Sequence, residues 1–135
     1  MTETTSRELP IAGDDDVVRV RQLARTCAQQ AKLSLVDQTK LVTAASELAR
    51  NTLVHGRGGG ATIELVNDGR RVGVRAVFRD DGPGIPDVPL AMTDGWSSGN
   101  GLGLGLSGAR RLVDEFELDT AAGSGTTVTV VKWGR

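Results

Sequence analysis

Sulfur, aromatic rings and charge of one sign are all scarce in this 135-residue chain. Its one cysteine, Cys27, cannot close an internal disulfide, which excludes a disulfide-stapled fold. The absence of tyrosine, with only two phenylalanines, is unusual for a globular chain of this length. Sixteen basic and seventeen acidic side chains leave a formal charge of -1. That balance provides neither a basic field for nucleic acid nor a polybasic stripe for anionic lipid, so neither is expected as a partner. No apolar stretch approaches the roughly 20 residues of a bilayer span. The opening MTETTSRELP lacks the apolar run of a signal peptide, and a cytoplasmic protein is expected.

Glycine, by contrast, is abundant: eighteen residues, gathered mainly in Gly56–Gly60 and Gly95–Gly108. At 14.2 kDa the chain has single-domain length, too short for a receptor region beside a catalytic one. Residues 1–13 read as a short N-terminal segment with an edge strand at Leu9–Ile11. Asp14–Asp16 form an acidic helix start, followed by Val17, Val20, Ala24, Cys27 and Ala31 at helical spacing. Arg19, Arg21, Arg25, Gln29 and Lys32 occupy the other, solvated face. A second helix is predicted over Leu35–Val54, with Leu41, Ala45, Leu48 and Thr52 facing the core.

The glycine run then ends that helix. Two strands, Ala61–Asn67 and Arg71–Arg79, form a hairpin about Asn67-Asp68-Gly69. Alternation in the second strand puts Val72, Val74, Ala76 and Phe78 on one face, continued by Asp80, and Arg75 and Arg79 on the other. Pro83–Asn100 has no regular periodicity and reads as a mobile flap. A third helix is predicted over Leu104–Glu115, with Gly105, Ala109, Leu112, Val113 and Phe116 inward. Strands Phe116–Ala121 and Thr126–Lys132 close the chain about Gly123-Ser124-Gly125. The sum is an α+β two-layer sandwich, a mostly antiparallel mixed sheet with about three helices on one face.

Three short strings carry the chemistry: ELARN (Glu47–Asn51), DDGPGIP (Asp80–Pro86) and GLGLGL (Gly101–Leu106). Glu47 and Asn51 are one helical turn apart and therefore neighbours. Asn51 offers a neutral oxygen that suits Mg²⁺ bridging phosphates, or else caps a nearby turn. Glu47 can accept the proton of an attacking hydroxyl or water. Asp80 is a carboxylate on an apolar face and must find donors. An adenine amino group is one such donor and the backbone of the following turn is another.

Gly82 and Gly84 permit close approach of a flat ring. Gly101, Gly103 and Gly105 precede a helix N-terminus, whose free amides attract phosphate. A dinucleotide fold would need a strand directly before these glycines, and a long flap stands there instead. Together the strings read as a nucleotide site. His55 and Cys27 read as helix capping and packing, and Trp133 as sheet packing. Trp96 clamps nucleotide, clamps a partner or folds back on the flap, and composition does not choose among these.

These strings resemble the N, G1 and G2 boxes of the GHKL ATPase superfamily, the Bergerat fold of gyrase, histidine kinases and MutL. Gly123-Ser124-Gly125-Thr126 is similar to the glycine-threonine element that closes such sites. Within the superfamily, Asp37–Asn51, Phe78–Asp87, Arg110–Phe116 and the ending KWGR resemble the RsbT-type switch serine/threonine kinases of bacterial stressosome pathways. The resemblance runs from about Val17 to Arg135. It implies that residues 14–135 form a single ATP-binding kinase domain.

The resemblance further implies Mg-ATP as cofactor and phosphorylation of a serine or threonine on a STAS-domain scaffold or antagonist. The released kinase would then activate a PP2C-type phosphatase. Carried over by motif, Glu47 would be the catalytic base, Asn51 the Mg²⁺ ligand and Asp80 the adenine-reading carboxylate. Gly82 and Gly84 would shape the base pocket, Gly101, Gly103 and Gly105 would face the phosphates, and Thr126 would stand near the adenine. Asp81 departs from the family, where asparagine is common. The alternative function is a non-catalytic, nucleotide-gated anti-sigma or phosphatase-binding module, against which an intact Glu47 argues. A detached histidine-kinase domain would require a phosphoacceptor helix that this chain lacks.

Overall fold

A computed structural model of the chain describes residues 6–82, 84, 105–121 and 123–134. The elements run β1 (Ser6–Ile11), α1 (Asp14–Gln30), α2 (Leu35–Val54), β2 (Gly59–Asn67), β3 (Val72–Asp80), α3 (Gly105–Leu112), β4 (Glu115–Ala121) and β5 (Gly125–Trp133). The five strands form one sheet in the order β1-β2-β3-β5-β4. Where the sequence allowed a mixed sheet, all four pairings are antiparallel. Hairpins join β2 to β3 and β4 to β5, while α3 carries the chain past β5 to the far edge, which leaves β5 to return between them. Among the described residues no helix is long and apolar enough to cross a membrane.

Alternation along the strands makes one face apolar. Leu9, Ala61, Phe78, Val128 and Leu118 lie in one cross-strand row, and Ile63, Ala76, Val130 and Phe116 in the next. Val74, Ala76, Phe78, Ile63 and Val130 are at most 1% exposed and pack against the helices. Fully burying a side chain of this size contributes about 1.5–3 kcal/mol. Val72, which the alternation assigned to this face, stands at the strand's start and is exposed. The opposite face is polar: Arg75 Nε donates to Glu64 at 2.7 Å, and Arg79 donates to Thr62 at 2.9 Å.

Helix ends follow from local side chains. In α1 the Asp16 carboxylate accepts from the Ala12 amide at 2.8 Å and from Arg19 at 2.7 Å. The Ala12 amide first, then Arg19, hold its carboxyl below the usual range. The helix ends with Lys32 at φ 60° and Leu33 N–H bonded to the Ala28 carbonyl at 3.0 Å. This is a Schellman stop built without glycine, with Leu33 buried behind it. Ser34 caps α2 by accepting from the Asp37 amide at 3.1 Å, an interaction worth about 1 kcal/mol.

Helix α3 is shorter than the sequence suggested, ending at Leu112 rather than Glu115. Asp114 turns the chain into the sheet: its amide donates to the Val131 carbonyl at 2.9 Å and its carboxylate accepts the Trp133 amide at 2.7 Å. Leu106, absent from the expected inward set, is fully buried. Trp133 packs beneath the Arg71 guanidinium, 4.4 Å from the ring centre, and its indole N–H donates to Glu115 at 2.7 Å.

Candidate functional site

The candidate residues that the structure describes gather where α2 ends and β3 and β5 meet. Asp80 closes β3 on the helix-facing side of the sheet, directly opposite Thr126 of β5, with Gly59 of β2 on its other flank. Thr120 of β4 completes this row. Its hydroxyl lies 2.9 Å from that of Thr126, which is buried. Strand alternation thus delivers a carboxylate and two hydroxyls, side by side, to one end of a largely apolar face.

Asp80 Oδ1 accepts the Gly82 amide at 2.8 Å. This is the turn hydrogen bond that sequence offered as one explanation of the residue, and it engages one oxygen of two. The other oxygen faces Gly56, just beyond the end of α2. A methyl group at position 56 would stand closer than 3.0 Å to the Cβ, Cγ and Oδ2 of Asp80. Gly82 is pressed against the same residue, since a Cβ there would come within 2.9 Å of Gly56 Cα. Gly84 takes φ +80°. Gly125, at φ +84°, leaves room for the Asp80 carbonyl where β5 begins.

Asn51 lies on α2 five residues before Gly56, and its carbonyl receives the amides of His55 at 2.9 Å and Gly56 at 3.3 Å. The helix end is therefore tied to the loop that touches Asp80. Asn51 is buried and Glu47, one turn earlier, is half-buried. His55 caps α2, and burial pushes its imidazole below the usual range. Gly105 opens α3, which packs against α2. Gly101, Gly103, Trp96 and the flap at 83–100, apart from Gly84, lie outside the described residues.

An open cleft of about 610 Å³ runs along this rim, lined by Gly56, Arg57, Gly58, Gly59, Asp81, Gly82 and Gly123. Its volume is within the range of small-molecule sites. Clefts of about 390 and 300 Å³ border α1 and touch none of the candidate residues. Among the described residues no group of three His, Cys, Asp or Glu converges to hold a metal. A donor set of Asn51 with phosphate oxygens and water suits Mg²⁺, which keeps several waters and uses few protein ligands.

Sequence reasoning did not single out Gly56, Thr120 or Gly125 individually. For Gly56 a signal was present: a glycine five residues beyond Asn51, at the start of a longer run. A glycine that ends a helix and one kept for a distant contact look alike in one sequence.

Residues 36–133 match the model of the histidine kinase-, DNA gyrase B- and HSP90-like ATPases. The chain is 45% identical over 120 residues to the serine/threonine-protein kinase RsbT of Bacillus subtilis, covering 89% of this chain and 90% of that protein. It is 26% identical over 119 residues to an anti-sigma F factor of Thermoanaerobacter sp., covering 84% and 82% respectively. Among solved structures it resembles the RsbU and RsbW domains of Rv1364c from Mycobacterium tuberculosis. There the TM-score is 0.64 and the identity 25%, over 97% of this chain and 32% of that one. The mycobacterial sensor histidine kinase MprB shares the fold, with TM-score 0.55 at 19% identity over 97% of this chain and 99% of that one.

Proposed function

Because the chain belongs to the histidine kinase-, DNA gyrase B- and HSP90-like ATPase family, in its branch of RsbT-like serine/threonine kinases, we propose that it transfers the γ-phosphoryl group of Mg-ATP to a STAS-domain protein of a cytoplasmic partner-switching pathway. Released from that protein, it activates a PP2C-type phosphatase. One observation carries the placement of the site: Asp80, opposite Thr126, is wedged against the loop in which the Asn51 helix ends.

In this reading the free side of the Asp80 carboxylate accepts the adenine amino group, with Thr126 beside it and Gly82 and Gly84 leaving room for the ring. Asn51 holds Mg²⁺, which when bound offsets negative charge on the phosphates. Gly101, Gly103 and Gly105 present backbone amides to the same phosphates. Glu47 accepts the proton of the acceptor hydroxyl as it attacks. The protein's contribution is mostly position and electrostatics, with the nucleophile supplied by the partner.

The test is transfer itself. A STAS-domain protein from the same organism, incubated with this chain and Mg-ATP, gains one phosphate that survives acid, as a hydroxyl ester does and a phosphohistidine does not. Absence of transfer despite proven ATP binding would overturn the kinase assignment and leave a nucleotide-gated binding module.

A further inference from the structure

Lys132 places a buried cation on the apolar face of the sheet, at the end away from Asp80. Val128, Val130 and Lys132 point the same way along β5 by alternation, and Lys132 shares its row with Leu65 and Val74. Its side chain is 4% exposed. The ammonium stands 3.5 Å from Asp37 Oδ1 and 3.5 Å from Asp114 Oδ1. One carboxylate comes from the first turn of α2, the other from the residues just after α3.

An aliphatic residue would suit this position at least as well, because a buried ion triad is not generally more stable than its apolar replacement. What a triad adds is a fixed geometry. Both carboxylates are restrained independently. Asp37 sits in the capped first turn of α2, where the helix dipole favours a negative charge. Asp114 is held by the Trp133 amide and by its own N–H on the Val131 carbonyl. Lys132 therefore joins the ends of α2 and α3 that are remote from the candidate site.

Both helices act as levers from that point. Glu47 and Asn51 lie roughly 15 and 21 Å along α2 from Asp37, and α3 extends roughly 10 Å from its last residue back to Gly105. A tilt of about 3–5° at the clamp displaces the far ends by roughly 1 Å, a misplacement that costs up to about 100-fold in a positioned reaction. Asp80 and Thr126 are seated in the sheet itself, on paired strands, and are carried on neither helix. We propose that Lys132 is a positioning residue for phosphoryl transfer: through Asp37 and Asp114 it sets the relative angle of α2 and α3, and so the placement of Glu47, Asn51 and the phosphate-facing end of α3. This inference rests on the kinase reading above.

The experiment compares wild type, Lys132→Arg, Lys132→Met and the charge-free triple variant Asp37→Asn/Lys132→Met/Asp114→Asn. Melting temperature and kcat and KM for ATP are measured for each, with a STAS-domain protein as acceptor. Lys132→Met alone removes the cation that both carboxylates face, Asp37 being buried, and melts early. The triple variant removes that cost and melts near wild type, yet its kcat falls about 10- to 100-fold while KM for ATP stays within about threefold. Lys132→Arg restores most of kcat.

A purely structural role would instead return kcat with stability, so a triple variant that is folded and fully active overturns the proposal. Should the triple variant not fold, Asp114→Asn decides, since it alters the more exposed carboxylate. There a lowered kcat at unchanged KM supports the clamp and an unchanged kcat overturns it. Wild type is assayed alongside: no transfer by wild type overturns the kinase reading and the clamp together, whereas normal wild-type transfer with an unaffected variant overturns the clamp alone.

Discussion

Replacing Gly56 by alanine perturbs the proposed adenine site without substituting any residue proposed to contact the nucleotide. The added methyl group falls inside 3.0 Å of three Asp80 side-chain atoms, where ordinary contact begins near 3.4 Å. The carboxylate must withdraw by roughly 1 Å, since a close-packed wall yields little. Overpacking of this kind costs about 1–3 kcal/mol of stability, a fraction of the roughly 5–15 kcal/mol of a typical domain, so the variant folds.

A displaced carboxylate forfeits a hydrogen bond to a charged acceptor, about 1.5–3 kcal/mol, which weakens the ATP Kd roughly 10- to 100-fold. Equilibrium titration with a fluorescent ATP analogue reads this directly, beside a thermal melt. Gly13→Ala is the control, because a Cβ there meets nothing within 4 Å and its backbone is extended. Wild-type affinity in a folded Gly56→Ala protein would refute the reasoning, since the carboxylate would then not be the group that reads the base.

Asn51→Ala is expected to bind nucleotide with an affinity that no longer responds to Mg²⁺, checked by titrations with and without the metal. An unchanged metal dependence would assign the ion to another residue. His55 supplies a pH prediction. Burial lowers its folded pKa from the ordinary 6.5, so below that value the unfolded chain takes up a proton that the folded chain refuses. The group's contribution to stability is present above about pH 6.5 and is lost as pH falls through the folded value, with a slope of at most about 1.4 kcal/mol per pH unit. Urea melts of wild type and His55→Gln between pH 7.5 and 5 should diverge in that sense, in steps of roughly half a pH unit. Parallel curves would remove the imidazole from the account.

The helices and the hairpin were legible because their periodicities are unambiguous. Leu35–Val54 coincides with α2 residue for residue, and the alternation from Val74 to Phe78 identified the buried face of β3. The strings around Asn51 and Asp80 could be placed on a helix and at a strand end, and the fold brings those two ends together. Two features resisted. Lys132 occupies an apolar register position that alternation gives to a Val or Leu, and only the arrival of Asp37 and Asp114 from distant segments explains a charge there. The end of α3 was misjudged because Val113–Phe116 fits a helix locally, while Asp114 binds the neighbouring strand instead.

The proposed site has a base-reading half at Asp80 and a transferring half at Glu47, and a paired measurement on Asp80→Asn and Glu47→Gln separates them. ATP affinity is taken by equilibrium titration, and transfer by the intact mass of a STAS-domain acceptor after one turnover. Asp80→Asn is expected to lose binding, while Glu47→Gln binds ATP as wild type does and leaves the acceptor mass unchanged. Wild-type affinity in Asp80→Asn, or undiminished transfer by Glu47→Gln, would contradict this division.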